Sequence, residues 1–218
     1  MAQRPRTTVR KRPQQERARV TVEALLDATA QVLMRDGYDG LSTNRVAAVA
    51  GASVGSLYQY FPSKEALVAA LLDRYSESTR ELVDGLLAAH GGAPCDVVAT
   101  ALVSAMIDLK RISPRLAKVL REETPRVGRM RRYETQLSEL VERVAAYLRT
   151  RPEVRVADVE LAAFLAVHAA DHLTHALVTA RPEVPRDTAV REVTAFLVRA
   201  LGVSPPGAAV PLDGAAER

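Results

Sequence analysis

Tryptophan is absent from this 218-residue sequence, cysteine occurs once, and aromatic residues amount to only 4%. A single thiol, Cys95 in the stretch GGAPCD, cannot close a disulfide within the chain, so we expect an ordinary reduced residue of a cytoplasmic protein. With so few rings, the core has to be built from Leu, Val and Ala, which suits helices packed through aliphatic side chains. No uninterrupted run of about eighteen apolar residues is present to cross a bilayer. The basic N-terminus is not followed by the apolar stretch of a secretory signal. No membrane partner is therefore expected. Catalytic signatures are missing too: there is no glycine-rich phosphate loop, no Gly-x-Ser-x-Gly elbow and no His-Glu-x-x-His pair. The acidic residues read as scattered over solvent faces, and nothing pairs a nucleophile with a base. An enzyme is not expected, nor is a cofactor.

Charge is present but unevenly placed. The first 19 residues hold seven basic side chains (Arg4, Arg6, Arg10, Lys11, Arg12, Arg17, Arg19) against Glu16 alone, in a chain whose formal net charge is +4. The remainder is therefore slightly acidic. Residues 1–17, with Pro5 and Pro13, read as a disordered basic arm, either solvating or able to neutralise phosphates.

Directly after the arm and one apolar helix comes LSTNRVAAVAGASVGSLYQYFPSK, residues 41–64. Thr43 can cap a short helix with an apolar stripe of Val46, Ala47, Val49 and Ala50, and Gly51 ends it. Ser53 is a second candidate cap. Leu57 and Phe61, four apart, share one face of the next helix, which Pro62 stops. The opposite face carries Val54, Gly55, Ser56 and Gln59, small or polar residues that allow close approach to base edges. Tyr58 and Tyr60 offer hydroxyls to phosphate oxygens, and Ser63 with Lys64 opens a further helix whose N-terminal amides favour an anion. Such a pattern fits a helix-turn-helix, whose second helix lies in the major groove. A small helical hairpin inside an ordinary core accounts for the local pattern as well.

The run from Ala18 to Leu72 resembles the N-terminal domain of TetR-family transcriptional regulators. The resemblance rests on Gly37, Tyr38, Leu41, Thr43, Ala47, Gly51, Ser53, Leu57, Tyr58, Tyr60, Phe61, Lys64, Leu67 and Leu71. Beyond Leu72 it extends to architecture only. It implies that Ser53 to Gln59 form the recognition helix, with Val54, Gly55 and Ser56 facing bases and Tyr58, Gln59 and Tyr60 contacting phosphates. It further implies phosphate binding by Thr43 and Lys64, and a base contact from Asn44. One departure stands out. No Arg or Lys lies on the recognition helix, so the bidentate contact to guanine is missing there. Base reading would lean on Asn44, Gln59, a Val54 contact with a thymine methyl, and groove shape. Arg45 is turned away from Thr43 and reads equally as solvated.

Length exceeds one typical domain, and proline and glycine punctuation divides the rest. Helices are expected from Lys64 to about Ala89, from Asp96 to Ile112, over SPRLAKVLREE with Pro114 in its first turn, from about Val127 to Arg149, over 156–180, and over about 187–201. The expected organisation is all-α. A helix-turn-helix DNA-binding domain of three helices spans 18–64, a six-helix effector-binding and dimerisation domain spans 65–203, and residues 204–218 form a disordered tail.

The resemblance implies a homodimer through the last two helices. Leu161, Leu165, His168, Ala169, His172 and Ala176 are available on the first, and Val190, Val193, Leu197 and Leu201 on the second. It also implies a repressor held on a palindromic double-stranded DNA operator and released by a small hydrophobic or amphipathic effector. The effector would lie against Met106, Leu109, Tyr133, Leu137 and His172, which ordinary core packing explains equally well one by one. His168, Asp171, His172 and His175 share one helical face and invite a metal reading, but hydrogen bonding at an interface or a cavity explains them better, and no metal is expected. A different class is a helical interaction module whose arm binds acidic surfaces without sequence preference.

Overall fold

Caps and breakers partition the chain as local chemistry demands. The computed structural model describes residues 16–203, and all regular structure among them is helical: α1 (Glu16–Gly40), α2 (Thr43–Val49), α3 (Val54–Tyr60), α4 (Lys64–His90), α5 (Cys95–Ile112), α6 (Pro114–Glu123), α7 (Met130–Leu148), α8 (Val159–Ala180) and α9 (Arg186–Ala200). The greater part of the basic arm and the whole of the tail lie outside these residues, although α1 already includes Glu16 and Arg17.

Ser53, Ser63, Ser113 and Asp158 each accept a backbone N–H three residues on, closing the starts of α3, α4, α6 and α8. The cap of α2 is Ser42, whose Oγ accepts from the Arg45 amide. Thr43, expected to be that cap, is the first helical residue instead, which leaves its hydroxyl for another partner. Two turns need glycine: Gly37 interrupts α1 at φ +70, and Gly51 sits between α2 and α3 at φ +64, where L side chains are strained. Gly128, at φ +68, lies just before α7, so that helix opens at Met130 and not at Val127.

The N-terminal unit closes around one apolar core. Leu25, Val32 and Leu33 of α1, Val46 of α2, Leu57 of α3 with Phe61 just after it, and Leu67 and Val68 of α4 are all fully buried there. The core runs past residue 64 through Leu72, so the first turns of α4 belong to this unit physically. It also reaches into the rest of the chain, because Leu120 of α6 and Val127 after it are buried in the same cluster, flanked by Leu116 and Val119. Ser113 Oγ lies 3.0 Å from Met34 Sδ, which fastens the start of α6 to α1.

The remaining helices form a second body. Val103 and Ile107 of α5, Val178 of α8, and Val190, Val193 and Leu197 of α9 make one cluster. Cys95, Ala145, Leu148, Ala163 and Leu201 make another at the far end. This corrects the expected dimer face of α9: Val190, Val193, Leu197 and Leu201 are buried within the subunit, and the large apolar residue that α9 exposes is Phe196. An amphipathic stripe identifies the buried side of a helix but not the neighbour that buries it.

By length and mean hydropathy (1.3), α8 is apolar enough to cross a membrane, the one such helix among the described residues. It is also packed against α5, α6, α7 and α9, and its Asp171 is ion-paired to both α5 and α6.

Phe61 ties α3 to the rest of its unit. Phe61→Ala is expected to lower stability by about 3–5 kcal/mol, read as a loss in unfolding free energy in a denaturant titration.

Candidate nucleic-acid interface and internal cavity

The buried backs of α2 and α3 dictate what the front presents. With Val46, Ala47, Leu57 and Phe61 turned into the core, Asn44, Ser53, Val54, Gly55, Tyr58 and Gln59 are left exposed, and Thr43, Ser56, Tyr60 and Lys64 half-buried. Several are held in place. Thr43 Oγ1 and the Tyr58 hydroxyl lie 3.1 Å apart and share a hydrogen bond, linking the two short helices across the turn. Ser53 Oγ donates to Ser56 Oγ at 3.0 Å and accepts from the Ser56 amide. Lys64 Nζ donates to the Tyr38 carbonyl at 3.2 Å and sits 4.4 Å from the centre of the Tyr38 ring. That lysine is thus fixed beside α3, with donors to spare. Arg45 is tied to Asp36 and to the Gly40 carbonyl, which turns it from a candidate reader into a brace for the break at Gly37.

A cavity of about 340 Å³ opens between α4, α5, α6, α7 and α8. Met106, Leu109, Tyr133, Leu137 and His172 all lie on its wall. Its inner end holds a cluster that the sequence did not disclose. The Asp171 carboxylate, largely buried, takes Lys110 Nζ at 3.3 Å, Arg121 and the Tyr133 hydroxyl, while Lys110 also donates to Thr174 Oγ1 at 2.9 Å. Burial by itself would raise the Asp171 pKa, but Lys110, Arg121 and these hydrogen bonds hold it down at about 2. Burial lowers Lys110 in spite of Asp171. His175 is pushed down to about 4, first by burial and then by the charges of Arg121 and Lys110, so it stays neutral near pH 7. Tyr75 lines the same cavity, and its hydroxyl is buried without a hydrogen-bond partner. Among the described residues no group of three or more His, Cys, Asp or Glu is arranged to hold a metal ion. The His168 ring packs at a tilt against Phe164, with ring centres 4.2 Å apart, and its carbonyl meets His172 Nδ1 at 3.0 Å.

Ion pairs also lace α4 to the residues just before α7 and along it. Asp73 takes both Arg129 and Arg132 at 3.1 Å, and Asp84 takes Arg80 at 3.0 Å and Arg143 at 3.3 Å. On α8 and α9, Leu161, Phe164, Leu165 and Phe196 stand about half exposed.

Two family models match the chain: one described as "Bacterial regulatory proteins, tetR family" over residues 25–71, and one described as "Tetracyclin repressor-like, C-terminal domain" over residues 94–201. The chain belongs to the TetR family. Among curated relatives, the "DNA-binding transcriptional repressor TetR" of Mycobacteroides abscessus is 40% identical over 77 residues, 35% of this chain and 38% of that protein. The "HTH-type transcriptional repressor KstR" of Mycolicibacterium smegmatis is 39% identical over 70 residues, 32% of this chain and 34% of that protein. The matched stretch thus spans little more than a third of either relative. Whole-chain likeness comes from solved structures. A TetR-family regulator from Mesorhizobium loti gives a TM-score of 0.71 at 20% identity over 87% of this chain and 98% of that one. Another from Streptomyces coelicolor gives 0.62 at 26% identity over 85% and 97%.

Within this TetR-family chain, the two short helices and the side chains they expose were legible because capping serines, glycine turns and the Leu57/Phe61 pair are local signals. The Asp171 cluster was not. Its members come from four helices, and the sequence reading placed acidic side chains on solvent faces, whereas Asp171 and Glu123 are nearly buried. A lysine on the apolar helix α5 was the available hint. Asp171→Asn would leave Lys110 and Arg121 without their carboxylate, and is expected to cost about 3–5 kcal/mol of stability. Adding Lys110→Met should recover part of that loss, as measured by denaturant unfolding of the single and double variants.

Proposed function

We propose that this TetR-family chain is a homodimeric, sequence-specific DNA-binding repressor, active in the cytoplasm, that leaves its operator when a small molecule fills the cavity. The observation that carries this reading is the α2–α3 surface: a polar, small-residue front over a fully buried apolar back, braced by Thr43, Tyr58 and Lys64. The repressor names of the relatives support it. In this reading Val54, Gly55, Ser56 and Asn44 meet base edges, and Thr43, Ser53, Tyr58, Gln59, Tyr60 and Lys64 meet the backbone. Residues 18–64 carry the reader, and 65–203 carry effector binding and dimerisation. Seven basic residues within the first 19 add phosphate neutralisation.

A dimer is needed to engage two half-sites roughly 34–36 Å apart. The half-exposed Leu161, Phe164, Leu165 and Phe196 supply an apolar surface on the two helices that would meet a second copy. Effector and operator then oppose each other through the separation of the paired readers: each favours a different spacing, so each weakens the other. Met106, Leu109, Tyr133, Leu137 and His172 form part of the effector wall.

Selection of bound fragments from a random duplex pool tests the reading. The expected product is a palindromic site. Lys64→Ala should weaken all winning sequences alike, whereas Asn44→Ala and Ser56→Ala should change which sequences win. Association that follows salt and ignores DNA sequence would favour a non-specific basic-arm module instead. Leu165→Glu is expected to give a monomer in analytical ultracentrifugation, with palindrome affinity reduced by at least tenfold.

A further inference from the structure

The cavity wall mixes apolar side chains with charged ones, and its charges do not balance. Lys110 and Arg121 share the single carboxylate of Asp171 at the inner end. Across the lining, six cationic side chains meet three carboxylates, those of Asp73, Glu139 and Asp171. Glu77 and Asp84 at the rim offset Arg80 and Arg143, and Glu77 also acts on Arg132, which leaves six cations against five carboxylates in and around the lining. Lys110 and Asp171 are nearly buried and Arg121 is only partly exposed, so positive charge left over among them is screened less than a charge at the surface. Burial is the first cause of the low His175 pKa, and the charges of Arg121 and Lys110 add to it against Asp171.

Beside this excess stands the Tyr75 hydroxyl, buried and without a partner, and the charges acting on it are those of Asp171 and Arg121. A buried donor with nothing to donate to is uncommon in folded proteins. In the other direction the wall is aliphatic. Val83, Met106 and Leu140 border both this cavity and a second, almost wholly apolar void of about 80 Å³ lined by Leu87, Val98 and Leu102.

We propose that the effector is an amphipathic organic anion, a carboxylate on an apolar tail, with its head group at Lys110, Arg121 and Tyr75 and its tail directed past Met106 and Leu140. This rests on the reading of the cavity as the effector site. A carboxylate accepts from all three groups and cancels the surplus charge, in short charge-assisted bonds. A cationic head would add a third positive charge beside Lys110 and Arg121. A neutral head would leave the surplus in place.

Straight-chain carboxylates from hexanoate to tetradecanoate, with the methyl ester and the alkylammonium of each length, separate these cases on the full-length chain by calorimetry. At least one carboxylate is expected to bind at least tenfold more tightly than its matched ester and ammonium. Tyr75→Phe should melt at the same temperature as the parent or higher, since it removes an unsatisfied buried hydroxyl, and should bind that carboxylate about tenfold more weakly. The proposal is overturned if no carboxylate in the series binds, if the ester or ammonium binds as tightly, or if Tyr75→Phe binds the carboxylate like the parent. Operator selection without ligand keeps the two claims apart. A palindromic site with no charge preference among ligands sinks the anion and spares the repressor, whereas failure to find a site sinks the repressor and leaves the calorimetry readable.

Discussion

One carboxylate holds the helical body together around its cavity. Asp171 on α8 is bound by Lys110 of α5, Arg121 of α6 and Tyr133 of α7, so four helices converge on two oxygen atoms. Burying such a group is costly unless every partner is in place, and the surrounding Thr174 hydroxyl and the paired cations meet that condition. The cluster thus gives the cavity a polar stretch of wall whose groups fix one another's positions.

The position of α6 gives that cluster reach. Its Arg121 belongs to the cavity, while Leu120 is buried in the core of the N-terminal unit, with Leu116 and Val119 packed against that core. A ten-residue helix is too short to bend much, so a displacement at Arg121 moves Leu120 with it. Helix α4 is the other link. Its first turns lie inside the reader core and its middle is ion-paired to the α7 region through Asp73 and Asp84. In the proposed function, occupancy of the cavity therefore bears on the reader through two connections, a long lever that is ion-paired and a short wedge that is hydrophobic.

How much of this could be read from the sequence follows from the range of each signal. Helix starts at Ser53, Ser63 and Pro114 were legible because a cap acts over three residues. Ser42 and Thr43 were confused because either hydroxyl can cap, and the choice is made by the backbone of Ser42, which is extended at φ −139. The inward turn of Val190, Val193 and Leu197 was misread as a contact for a second copy because the stripe is equally apolar whichever helix covers it. The cavity residues Met106, Leu109, Tyr133, Leu137 and His172 could be named from helix periodicity, but Asp171 and Tyr75 could not be given their setting. The groups around them lie tens of residues away in sequence, and only the packed helices bring them together.

The absence of Arg and Lys from α3 has a structural counterpart. Tyr58 is held by Thr43 and Lys64 by Tyr38, while Arg45, the nearest arginine in this stretch, is held by Asp36 and Gly40. Cationic side chains around the reader are thus fixed at its margins, where phosphates would pass, and the centre is left to Val54, Gly55 and Ser56. Such a surface permits a close fit to a groove but supplies few strong base-specific bonds. Discrimination would then come from methyl contacts and from the deformability of the site, and affinity from the margins and the basic N-terminal residues. In the proposed function, a reader of this kind would depend on two copies acting at a fixed spacing, since the recognition helix offers no bidentate guanine contact of its own. That dependence is what would make a change in spacing an effective release.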